Sequence, residues 1–245
     1  MQRSALSPLH AGRSSSCFAC AGRGDSEWCS LEGNDLNLLN QAKVANTYLP
    51  GQTIFYQGNA CLGIFCVESG TVAIRKNDQN GNSVIVRLAH RGDTLGYRSY
   101  FAGQPYQANA EALVSARVCF VDKAAVRRLL EHNPSVGLAF LRKMAHNLED
   151  AEQERLMAAT LPVRARLAHL LLVMKDRFGK VEDNGDLTID LPLSRQDIAA
   201  MLGARPETVA RAVRSLEDSG TAKFKGRLVS VPDLDALMDA LELSD

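Results

Sequence analysis

Apolar positions change their period along the chain, and the changes divide it into parts. From about Tyr48 to Asp122 they alternate, as in strands with one buried face, over Thr53–Tyr56, Leu62–Val67, Thr71–Arg75, Ser83–Leu88 and Ala110–Val121. Pro50-Gly51, Gln57-Gly58, Ser69-Gly70, Asn80-Gly81 and Arg91-Gly92-Asp93 punctuate them as turns, which predicts a small antiparallel roll or jelly roll. Lys123–Glu131 reads as a short helix. Pro134 to Thr160 then carries no Pro after Pro134 and no Gly after Gly137, so nothing inside it breaks a helix. At 1.5 Å per residue that helix is a rod of about 40 Å.

Along the rod Leu141, Met144, Leu148, Ala151 and Ala158 fall on one narrow seam, joined by Arg155. A core helix with a wide apolar face would share part of this pattern, and Val136, Leu138 and Phe140 are expected to pack on the chain's own roll. The seam continues where the other faces turn charged, which favours pairing with a second copy, and a buried Arg155 would loosen that pairing. Pro162–Phe178 reads as a further helix, with Val163, Leu167, Leu170, Leu171 and Met174 on one side. Gly179–Asp186 reads as a polar spacer and Leu187–Leu191 as a short strand.

The segment Ser194–Gly220 has the spacing of a helix-turn-helix. Ser194 with Asp197 makes a capping-box start, Gly203 closes that helix, Pro206 opens a second and Gly220 ends it. Ala199, Gly203 and Val209 supply the small residue, the turn glycine and the locking apolar residue of such a pair. Arg205, Glu207, Thr208, Arg211 and Arg214 occupy the outer face of the second helix, and Phe224-Lys225-Gly226-Arg227 makes the hairpin of a wing.

Composition matters next. The chain has 245 residues, 46% hydrophobic, enough for two domains and a connector. Charges balance at 28 against 28, so a nucleic-acid footprint has to be local. It is: from Ser194 to Arg227, seven basic residues, Arg195 and Lys225 among them, face four acidic ones. No signal peptide or membrane-length apolar run is apparent, which predicts a cytoplasmic protein without a membrane partner, and no catalytic constellation marks an enzyme. Residues Met1–Ser16 offer little to bury and are expected to be disordered.

Six cysteines in such a chain do not read as a disulfide framework. Cys17 and Cys20 form a C-x2-C pair whose thiolates can reach one metal centre, and the Gly-rich loop Ala21–Ser26 lets Cys29 swing toward it. Three ligands leave such a site incomplete, and a redox pair or a chance cluster remain alternatives. Cys66, and with it Cys61, reads as a small core hydrophobe, while Cys119 is out of phase with Val118 and can face away from the core.

The order of β-roll, long connector helix and C-terminal winged helix-turn-helix resembles the CRP/FNR superfamily of dimeric bacterial transcription regulators, from about residue 40 to residue 230. Within it, the N-terminal cysteines plus Cys119 on a late roll strand look like the oxygen-sensing FNR type. The resemblance implies an α+β chain with a cysteine-cluster segment (1–30), a cyclic-nucleotide-binding-like roll (31–132), a dimerisation helix (133–160) and a DNA-binding domain (161–245). It further implies a [4Fe–4S] cluster on Cys17, Cys20, Cys29 and Cys119, with RNA polymerase and a palindromic promoter as partners. The gap before Cys29 is eight residues, longer than in the best-known members. Where the cyclic-nucleotide branch places an acidic residue and an Arg-Ser pair, this chain reads Gly96-Tyr97-Arg98 and Tyr106-Gln107-Ala108, so no cyclic nucleotide is expected. Glu207 and Arg211 fall on the family's base-reading positions, and Ala210 stands where FNR-type readers carry serine. Arg pairs bidentately with guanine and Glu accepts from cytosine, so TTGA-like half-sites one helical turn apart are expected. A thiol–disulfide or nitric-oxide sensor of the same family is the alternative.

Overall fold

Alternation of buried and exposed positions is realised as two four-stranded antiparallel sheets whose inner faces share one core. The coordinates are a computed structural model, and they describe residues 16–183 and 185–242; the disorder expected of Met1–Ser16 lies, but for Ser16, outside the described residues. The strands are β1 (Lys43–Tyr48), β2 (Thr53–Phe55), β3 (Gly63–Ser69), β4 (Val72–Asn77), β5 (Ser83–Ala89), β6 (Thr94–Leu95), β7 (Asn109–Ala112) and β8 (Ala116–Asp122). One sheet runs β1-β8-β3-β6 and the other β2-β7-β4-β5. Phe55, Phe65, Val67, Val72, Ala110 and Val118 fill the space between them. The single strand expected over Ala110–Val121 is two, one in each sheet. Gly70 explains why the corner is tight: its φ is +90°, and a Cβ there would meet the Ser115 carbonyl oxygen at 2.5 Å.

Helix α1 (Gly33–Ala42) precedes the roll, α2 (Tyr97–Ala102) interrupts it, and α3 (Lys123–His132) leaves it. Helix α4 spans Pro134–Thr160, as its sequence predicts. Proline at its first turn fits the orphan N–H there, and Leu161 ends it in an extended conformation because Pro162 disfavours helix at the preceding residue. Val136 and Phe140 are fully buried beside Trp28, Leu31, Leu129 and Tyr97. Leu138, expected with them, is 54% exposed; it lies outward with Leu141 and Leu148, at 59% and 61%. Met144 differs from the rest of the seam, since it is half-buried and packs on the chain's own roll cluster.

Beyond Pro162 come α5 (Val163–Phe178), β9 (Gly179–Val181), β10 (Leu187–Asp190), α6 (Arg195–Leu202), α7 (Pro206–Asp218), β11 (Lys223–Lys225), β12 (Leu228–Val231) and α8 (Leu234–Glu242). The sheet order β11-β12-β10-β9 turns part of the expected spacer into a paired strand. Leu167, Leu171, Ile189, Leu216 and Val229 form its core, which continues into Ala73, Ile85, Leu88 and Leu113 of the roll. Arg75 spans this junction, bonding Glu111 at 2.7 Å on the roll and Asp197 on α6. Among the described residues, no helix is long and apolar enough to cross a membrane.

Candidate functional site

Two regions carry the chemistry, one at each end of α4. At the roll end, the chain from Ser16 to Leu31 is a run of tight turns. Cys17 N–H donates to Asn40 Oδ1 of α1 at 2.8 Å, and Arg23, Ser26, Cys29 and Leu31 each donate a backbone N–H three residues back. The Arg23 guanidinium donates to the carbonyls of Cys17, Cys29 and Leu31, so one side chain holds the loop closed. Gly22 lies against the Arg91–Gly92 turn of the roll, where a Cβ would come 3.0 Å from Gly92 N. Trp28 and Leu31, at 1% and 0% exposure, plug the segment into the roll cluster.

Between this loop and strands β3 and β8 lies a pocket of about 40 Å³, lined by Cys17, Cys20, Cys66 and Cys119 with Trp28 and Glu68. Cys119 faces it while Val118 faces the roll core, the alternation its sequence position predicts. Cys66 is a correction: it does not fill the roll core but sits directly across from Cys119 in the β3–β8 ladder, on the pocket side. Cys61 packs against the roll core as a small hydrophobe should. Cys29, expected as a ligand, is exposed and does not line the pocket. Burial pushes the thiol of Cys119 up to about 11 and those of Cys17 and Cys66 up as well, against a downward pull from Lys43 on Cys17 and Cys119. The sulfurs therefore stay protonated unless a cationic centre takes their charge. Among the described residues, no three His, Cys, Asp or Glu converge closely enough for a single metal ion. An iron–sulfur core is wider than an ion, and soft thiols lining one pocket are the donors it takes, so Cys17, Cys20 and Cys119 fit such a group; Cys29 as placed does not.

The same loop is wired to α4. Glu27, 6% exposed, bonds Lys143 Nζ at 2.6 Å and accepts the Thr94 hydroxyl, while Lys143 also reaches Asp93 at 3.0 Å. Trp28 meets Phe140 edge-on, with ring centroids 5.4 Å apart. Although burial opposes it, the two carboxylates raise the Lys143 ammonium, and Lys143 and the His90 N–H hold Asp93 below the usual carboxylate range. None of this wiring was read from sequence, since Glu27 and Lys143 lie in segments that resemble ordinary solvated charge.

At the far end, Ser194 and Asp197 form the reciprocal capping box that starts α6, and Gly203 closes it at φ +57°. Helix α7 buries Val209, Ala212, Val213 and Leu216, which leaves Arg205, Glu207, Ala210, Arg211 and Arg214 exposed. Thr208, half-buried, accepts from Arg211 at 3.4 Å. The wing is fixed to the reading helix, because Glu217 accepts the Phe224 N–H at 3.1 Å. Arg195 lies over the Phe224 ring at 4.6 Å, and Lys225 is exposed at the wing tip. Every basic group expected to touch DNA is thus on the surface, on or beside the outer face of α7.

In the roll, a cavity of about 250 Å³ is lined by Lys76, Arg87, Arg98, Ser99 and Gln107. Tyr97, in the stretch where the resemblance places the acidic residue of the cyclic-nucleotide branch, is 1% exposed, and its hydroxyl accepts from Asn147 of α4 at 2.8 Å. Two arginines thus line the cavity, Arg98 from the Gly96-Tyr97-Arg98 stretch itself and Arg87 from strand β5.

Residues 45–133 match the family described as "Cyclic nucleotide-binding domain", and residues 165–240 that described as "Crp-like helix-turn-helix domain". The chain is 26% identical to the transcriptional activator protein FnrL of Cereibacter sphaeroides over 227 residues, 91% of this chain and 90% of that protein. It is also 26% identical to the CRP-like cAMP-activated global transcriptional regulator of Mycobacterium tuberculosis, over 76% of this chain and 83% of that one. In fold it is similar to FixK2 from Bradyrhizobium japonicum, with a TM-score of 0.71 at 24% identity over 83% of this chain and 99% of that one. Both domain matches fall in the order the roll, connector and winged helix impose, and the chain belongs to the CRP/FNR family of DNA-binding transcription regulators.

Proposed function

We propose that this regulator works as a homodimer that senses oxygen through a [4Fe–4S] cluster at its cysteine pocket and binds a palindromic, TTGA-like promoter site together with RNA polymerase. The observation that carries the reading is the meeting of Cys17, Cys20 and Cys119 on one pocket whose loop is tied to α4 through Glu27–Lys143 and Trp28–Phe140. When bound, such a cluster supplies a centre whose integrity depends on oxygen. Cys119 anchors the site to strand β8, and Cys17 and Cys20 draw the N-terminal segment onto it. With the segment seated, Glu27 and Trp28 hold the first half of α4 in one position. That position presents Leu138, Leu141, Ala145 and Leu148, outward at helical spacing, to a second copy, and Ala151, Arg155 and Ala158, exposed in the single chain, continue along the rod. Pairing the α4 helices sets two Arg211 side chains about 34 Å apart, the spacing of successive major-groove turns. A bias of a few kcal/mol is enough for such a switch.

The test is anaerobic reconstitution with iron and sulfide, followed by visible absorption, iron analysis and binding to a labelled palindromic duplex before and after air. A brown protein that bleaches in air and loses its preference for the duplex supports the reading. A colourless, iron-free protein sinks it and favours the thiol–disulfide sensor, which reductant would reverse.

A further inference from the structure

Four thiols face the pocket, and they are not the four that the family resemblance names. Resting on the cluster reading above, we infer that Cys66, not Cys29, supplies the fourth thiolate, with the Trp28 indole N–H as its hydrogen-bond donor. Three observations carry this. Cys66 stands opposite Cys119 in the β3–β8 ladder and lines the same pocket, so a centre bound to Cys119 has a second thiol beside it on the sheet, next to the Glu68 carboxylate that lies 3.7 Å from the Cys119 sulfur. Cys29 is exposed, and its direction is fixed by its neighbours: Trp28 and Leu31 are buried at 1% and 0%, and its carbonyl is held by Arg23 at 3.1 Å. Finally, Trp28 Nε1–H is buried without a hydrogen bond of ordinary geometry, and Trp28 lines the same pocket as Cys66, whose thiol its N–H pulls downward against burial. Sulfur accepts a hydrogen bond more strongly as a metal-bound thiolate than as a thiol, so Cys66 in the role of ligand gives this buried donor a partner. On binding iron, Cys66 gives its proton to solvent and its lone pair to the metal, and the N–H then bonds the sulfur.

The experiment compares wild type, Cys29→Ser, Cys66→Ser and Trp28→Phe after anaerobic reconstitution, each first checked for an unchanged thermal midpoint as apo-protein. Cys29→Ser should keep the wild-type iron content and visible band, while Cys66→Ser should lose most of both. Trp28→Phe keeps the ring packing but removes the donor, and should shift the reduction potential downward. On unmodified wild type, maleimide added to the brown protein should label Cys29 without bleaching it. Iron lost from Cys29→Ser and kept by Cys66→Ser, or Cys29 shielded from maleimide only after reconstitution, overturns the inference and leaves the cluster reading standing. A wild type that takes up no iron overturns both.

Discussion

Arg211 decides more than its charge suggests, because its position on α7 is set by four buried neighbours rather than by itself. Val209, Ala212, Val213 and Leu216 fix the rotation of the helix, and Thr208 steadies the guanidinium. Replacing Arg211 with Ala should cost about 1–3 kcal/mol in discrimination at one base pair. In duplex-binding assays that loss should be confined to substitutions at a single half-site position. Arg214→Ala or Lys225→Ala should instead weaken all duplexes alike and flatten the salt dependence. Tyr97 illustrates the opposite case, a residue whose hydroxyl is already committed to Asn147. Millimolar cyclic AMP is therefore expected to leave the thermal midpoint unchanged, and a rise of several degrees would overturn that expectation.

Helix α4 is two helices in one physical sense. Its first turns are buried by Val136 and Phe140, whereas Leu141 and Leu148 expose more than half their surface. Glu at either leucine should leave the fold of the single chain intact but abolish the proposed pairing of α4, as seen by sedimentation, because both side chains are more than half exposed in the single chain. Lys143→Met should leave the outward row of Leu138, Leu141 and Leu148 unchanged and cut the tie to Glu27. The sign of its pH effect follows from the raised ammonium: that stabilisation is present below the unfolded value of about 10.4 and lost as pH rises through the folded one. Wild type should accordingly lose stability at high pH, and Lys143→Met should show less of that loss in thermal melts.

Across the whole molecule, the winged half is docked on the roll of its own chain through Arg75 and the shared apolar junction. Burial alone would raise the Asp197 carboxyl, but the Ser194 and Arg75 hydrogen bonds bring it below its usual range. That contribution is present above about pH 3.9 and is lost as pH falls through the folded value. Arg75→Ala should free the winged half, enlarging the particle in small-angle scattering. It should also blunt the acid loss of stability, while Ser194 and Asp197 still cap α6. Unchanged scattering would assign the docking to the apolar junction alone.

The sequence by itself determined whatever depends on neighbours a few residues away. Helix α4 starts and stops at its prolines, the capping box and glycine frame the helix-turn-helix, and the alternation of Val118 with Cys119 puts the thiol outside the roll core. Strand β1 was not legible, because Lys43–Tyr48 has no clean apolar alternation and is held by backbone pairing to β8. Helix α2 escaped for a similar reason: six residues are too few to show a period, and left-handed glycines frame both its ends. Only the tertiary structure decided which cysteines meet, because Cys66 and Cys119 are fifty-three positions apart in the chain but opposite one another in the sheet. It also decided that Cys29 points away, since the burial of Trp28 turns its neighbour outward, and that Glu27 reaches α4 through Lys143. Local pattern fixes the elements; long-range packing chooses which face of each one meets the others.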